Sequence, residues 1–220
     1  MPRLTCPEAM IPTKSDFTAG EWRLIQQLRT PAQVQRYLCT VSYNRPMKTC
    51  LSFRGVIREN KAYCLEGAIF AAAVLEQHGY PPLIVSMESK DKLDHVVFLY
   101  KENGGFGAVA RSRDIGLHGR KPVFRTLRGL VMSYFDAYVD NTARLTGFAR
   151  ANLYDMDGYD WRFSARNIWK VERYLQELDH AEIEASESRY RKWLIQYKKW
   201  HELYPDRSPD YFPNRHQWML

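Results

Sequence analysis

Three side chains in this chain have the types and order needed for nucleophilic acyl transfer. Cys64 supplies a thiol, His95 an imidazole and Asp114 a carboxylate, separated by 31 and 19 residues. In such a set the thiolate attacks a carbonyl, and the histidine accepts the thiol proton and returns it to the leaving amine. The carboxylate fixes the ring tautomer and stabilises the charged imidazole. A cysteine in an apolar helix is ordinarily a small buried hydrophobe, so the reading depends on the elements that would hold these groups.

Asn60 can cap a helix from about Lys61 to His78, closed by Gly79 and stopped by Pro81-Pro82. Cys64 then falls in the first turn, where the helix dipole and free amides favour a thiolate. Gly67, Ala68, Ala71 and Ala72 form a small-residue face that lets another layer approach closely, and Leu65, Ile69, Phe70, Val74 and Leu75 make the helix apolar nearly all round. Leu83–Met87 reads as a short strand. His95 opens a second strand through Tyr100, turned at Glu102–Gly105, and Phe106–Ser112 returns. With Gly104-Gly105 as the turn residues, His95 faces Asp114. With Asn103-Gly104, it faces Ser112 and Asp114 lies on the diagonal. In both registers Asp114 shares a sheet face with His95 while Asp94 points the other way, so Asp114 is expected to orient the imidazole, with Ser112 as the alternative.

The run Tyr63-Cys64-Leu65-Glu66-Gly67-Ala68, continuing through Ala71-Ala72-Ala73 to His78-Gly79-Tyr80-Pro81, resembles the nucleophile helix of the transglutaminase-like superfamily, within the papain-like thiol-enzyme architecture. Asp94-His95-Val96-Val97 is similar to its histidine strand, and Phe106–Asp114 to the strand ending in its acid. The likeness covers about residues 35–140 and is narrowest to uncharacterised bacterial proteins of this size. It implies an α+β papain-like core, with the nucleophile helix packed on a small antiparallel sheet. It also implies cysteine-dependent hydrolysis or transamidation of an amide or peptide, with no cofactor. Family members place a polar oxyanion donor upstream of the cysteine; here Tyr43, Asn44 and Gln35 are the candidates, and the Cys64 amide could be a second donor.

The rest of the chain bounds this reading. The length of 220 residues suits one catalytic core (1–140) with a C-terminal helical extension (141–220). Earlier helices are expected over Gly20–Leu28, from Thr30-Pro31, and over 48–59; later ones over Phe124–Tyr138, about 165–179 and about 186–203, with 145–163 ambiguous. Residues 1–18 read as an irregular arm. The longest apolar run, Ala68–Leu75, is far short of the roughly twenty residues a membrane span needs. The first residues lack a signal-peptide pattern, so a cytoplasmic protein is expected.

The net charge is 32 − 25 = +7, concentrated in 105–130 and 186–200. Arg113 and Arg120 could form a basic rim that selects an acidic substrate. Tyr190, Trp193, Tyr197, Trp200 and Tyr204 lie at helical spacing and read as a packing stripe rather than a nucleic-acid platform. Cys6, Cys39, Cys50 and Cys64 show no zinc spacing and are read as free thiols. The histidines form no metal-ligand cluster, and Asp155–Asp160 misses the calcium-loop pattern. The oligomeric state is not encoded in any of these features.

Overall fold

The computed structural model describes residues 11–45, 48–92 and 94–220; Cys6, Pro46 and most of the expected N-terminal arm lie outside them. In chain order the elements are α1 (Ala19–Gln27), α2 (Pro31–Thr40), β1 (Ser42–Tyr43), α3 (Phe53–Glu59), β2 (Lys61–Ala62) and α4 (Cys64–Glu76). Then come β3 (Leu83–Ser89), β4 (His95–Glu102), β5 (Gly105–Val109), β6 (Arg120–Phe124) and α5 (Leu127–Tyr138). Last are β7 (Leu145–Asn152), α6 (Trp169–Gln176), β8 (Ala181–Glu182), α7 (Glu187–Leu203) and α8 (Arg215–Trp218).

Six strands form one antiparallel sheet in the order β6-β5-β4-β3-β7-β8, and β1 and β2 make a separate parallel pair. Helices occupy 43% of the described residues and strands 19%, and the helices lie on both faces of the antiparallel sheet, so the class is α+β. β7 pairs with β3 in the middle of the sheet. The segment 141–220 thus contributes two strands, β7 and β8, to the layer that residues 1–140 begin.

Local chemistry explains the helix ends. Thr30 caps α2 through its hydroxyl to the Gln33 amide, with Pro31 at the first helical position. Asn60 does not open α4 as expected. It closes α3 in the left-handed region, φ 47°, a conformation asparagine tolerates better than most residues. Lys61–Ala62 then pairs with β1, and α4 starts at Cys64 itself. The expected helix over 48–59 shortens to α3, which Ser52 caps. The helix expected from Phe124 starts at Leu127, because Arg120–Phe124 forms the edge strand β6, where Pro122 needs no ladder donor.

The sheet separates two cores. Val96, Phe98 and Tyr100 of β4 pack with α1–α4 and α6, and every residue of α4 is buried. Val97 and Leu99 face the other way, against Leu130, Val131, Tyr134, Phe135 and Tyr138 of α5. This alternation decides where the site residues stand.

Candidate functional site

The N-terminus of α4 is pinned by a buried carboxylate. Glu66 accepts the Tyr63 amide at 3.0 Å, the capping-box bond that starts the helix. It also accepts Asn44 Nδ2 at 3.0 Å, Thr49 Oγ1 at 2.7 Å and the Leu51 amide at 2.9 Å. The first helical residue is therefore Cys64. Its sulfur lies 3.8 Å from the Asp94 carbonyl oxygen, against the opening of β4. Burial pushes the thiol up to about 11, although the Val96 and Leu65 N–H groups turned to the sulfur pull the other way.

Cys64 borders a cavity of about 950 Å³, whose walls also include His95, Ser112, Asp114, Arg113 and Tyr43. Three of the expected groups thus share one space, but they do not form the expected relay. His95 stands on the β4 face that α5 covers, paired with Met87, its ring against Tyr134 and Tyr138 with centroids 5.6 and 6.3 Å away. Cys64 stands at the end of the helix packed on the other face. His95 Nε2 lies 3.0 Å from the Leu117 carbonyl oxygen, so Nε2 carries the proton. Burial, with the Arg120 charge nearby, lowers its pKa to about 3, leaving a neutral ring.

Asp114 does not meet His95. The turn is Asn103-Gly104, both at positive φ, which sets the register with Ser112 opposite His95. Yet β5 ends at Val109, whose partner is Phe98, and the chain leaves the ladder before those positions. Asp114 instead accepts the Ser208 hydroxyl at 3.1 Å and pairs with Arg113 at 3.1 Å, while Ser112 Oγ accepts the Asp114 amide. Ser112 therefore does not orient the imidazole either.

Of the oxyanion candidates, Tyr43 alone borders the cavity, its ring under the Arg111 guanidinium and its hydroxyl pushed up to about 12 by burial. Asn44 is spent on Glu66 and Thr49. Gln35 clamps the sheet end: its oxygen accepts the Ala110 and Gly119 amides, and its nitrogen donates to the Ala110 carbonyl.

Arg113 borders the cavity, as a rim residue would. Arg120 does not. It is fully buried, stacked between Tyr134 at 3.8 Å and Trp218 at 4.7 Å, and it donates to the carbonyls of Gly116 and His118. The α7 stripe packs partly on the C-terminal segment, Trp193 and Trp200 against Tyr211.

A helix read from Lys61 gives Glu66 no special place; with α4 starting three residues later, at Cys64, its spacing from Tyr63 is the capping-box signal. Among the described residues no group of three or more His, Cys, Asp or Glu could hold a metal, and no helix is long and apolar enough to cross a membrane. No protein-family model matches the chain, and no curated protein matches it either.

Proposed function

We propose that the protein is a ligand-binding module of papain-like, transglutaminase-like layout, in which the cavity at the start of α4 takes an amide- or peptide-bearing ligand and the triad residues serve as wall groups. The observation that carries this reading is that Cys64 and His95 are turned to different backbone partners at the start of β4, the sulfur to the Asp94 carbonyl and the Val96 amide and the ring Nε2 to the Leu117 carbonyl. Proton transfer needs contact at about 3 Å.

The cavity has the volume of a small-molecule site. Its wall at the sulfur presents the Leu65 and Val96 amides and the Asp94 carbonyl, and an amide group offers the matching acceptor and donor. Arg113 and Arg45 line the same cavity with Asp94, Asp114, Asp140, Glu172 and Asp206, so its wall is of mixed charge and an acidic group on the ligand would compete with Asp114 for Arg113. The free thiols Cys39, Cys50 and Cys64 support a reducing compartment, hence the cytoplasm. The test is calorimetric titration with short peptide amides that carry one acidic residue. Binding that weakens on Arg113→Ala, with the peptide recovered unchanged, supports the module. Conversion of the peptide overturns it.

A second reading is cysteine-dependent acyl transfer, by hydrolysis or transamidation, with Cys64 as nucleophile, His95 as base and Asp114 as orienting acid. It is favoured by the helix N-terminus and the two amides turned to the sulfur, the surroundings an oxyanion needs. It requires a His95 ring nitrogen to turn to the sulfur. A Cys64 thioester trapped by acid quench and detected by intact mass would establish it.

A further inference from the structure

We propose that Cys39, paired with His118, is a reactive thiol that exchanges with low-molecular-weight disulfides, a covalent site separate from the cavity. Cys39 is exposed near the end of α2, and its sulfur lies 3.6 Å from His118 Nδ1. The other ring nitrogen, Nε2, lies 3.1 Å from the Ser112 carbonyl oxygen. A carbonyl only accepts, so Nε2 bears the proton and Nδ1 is left as the acceptor for the thiol. A backbone carbonyl fixes the His118 tautomer as the Leu117 carbonyl fixes that of His95.

A second donor converges on the same sulfur. Gln35 Nε2 is 3.5 Å away, and its orientation is fixed because Gln35 Oε1 accepts two backbone amides, from Ala110 and Gly119. The end of a helix disfavours an anion. Against that stand the His118 contact first, then the Gln35 donor and the Arg111 charge, which together hold the thiol below its ordinary range. Cys50 and Cys64 are buried and pushed the other way.

The step balances without further reagents. His118 takes the thiol proton, and the Cys39 sulfur attacks one sulfur of the small disulfide. A new S–S bond forms as the old one breaks. The departing thiolate takes the proton from His118. Cys39 is oxidised to the mixed disulfide and the released half is reduced.

The test uses the reduced full-length chain with oxidised glutathione, followed by peptide mapping. In the native chain at about pH 7, Cys39 should form the mixed disulfide several-fold faster than the same residue in the urea-unfolded chain, and ahead of Cys50 and Cys64. His118→Asn should slow it several-fold at about pH 7. The difference should vanish at about pH 10, where the thiol ionises without a base. Native Cys39 reacting no faster than unfolded Cys39 would overturn the proposal. So would an effect of His118→Asn that is equal at both pH values, since that is the behaviour of altered packing.

Discussion

The sulfur of Cys64 and the imidazole of His95 meet the start of β4 through different partners. The thiol rests against the Asp94 carbonyl, and the ring lies against Tyr134 with Nε2 given to the Leu117 carbonyl. A neutral thiol and a neutral ring are what that arrangement leaves, because neither has the other's charge to offset burial.

The buried ring has a consequence for acid stability. Its pKa in the folded state is about 3, below the ordinary 6.5. Below pH 6.5 the unfolded chain therefore binds a proton that the native chain refuses, and stability falls as pH drops toward 3. At about 1.4 kcal/mol per unit, roughly 2–3 kcal/mol should be lost between about pH 6.5 and 4.5. His95→Gln, which can still donate to the Leu117 carbonyl, should lose less over the same interval. Urea denaturation at the two pH values measures the difference.

Glu66 holds four donors that have no other carboxylate to serve. Glu66→Ala leaves the Tyr63 and Leu51 amides and the Thr49 hydroxyl without their acceptor, at about 1–3 kcal/mol each, while Asn44 keeps Thr49, so a loss of more than about 3 kcal/mol is expected. Glu66→Gln keeps one acceptor for the Tyr63 amide and should cost less. Denaturant midpoints rank the three proteins.

Arg162 grips Glu76 through two bonds, of 2.6 and 2.7 Å, at the far end of the same helix. Burial pushes the Glu76 carboxyl up even against that partner. Arg162→Ala should cost about 3–5 kcal/mol near neutral pH by stranding the charge. Protonating Glu76 relieves the charge, so the deficit against the wild type should shrink as pH approaches 4.5. A deficit that stays constant with pH would mean the loss is one of packing on Trp161.

Gly67 lets α4 close on the chain beyond β5: a Cβ there would lie 2.6 Å from Arg111 Cβ. Gly67→Ala should cost about 1–3 kcal/mol through overpacking, despite alanine's better helix propensity. Thermal unfolding reads it directly.

Much of this scaffold is legible in the sequence. Thr30-Pro31 marks a helix start, Gly79 with Pro81 a helix end, and Glu102–Gly105 the hairpin, with its two turn residues left open. Asn60 misleads because asparagine suits either end of a helix, and only the φ of 47° separates the two uses. β7 is obscure because its buried positions include Gly147, Ala149 and Ala151, which carry little strand signal. The failure at the site is of another kind. Alternation tells which residues share a face, but the ladder that would bring Ser112 opposite His95 ends at Val109 and Phe98. Nor does alternation tell which layer covers that face. Val96, Phe98 and Tyr100 are as apolar as Val97 and Leu99, so nothing local to β4 marks the side on which α4 lies.

The most direct measurement is the pH dependence of Cys64 alkylation by iodoacetamide, read by peptide mapping in the wild type and in His95→Ala. Separation of thiol and imidazole requires a rate that keeps climbing toward a midpoint near 11 and is unchanged by the substitution. Fast labelling that is already flat below about pH 8, the ordinary thiol range, and that slows when the imidazole is removed would mean the two groups pair after all.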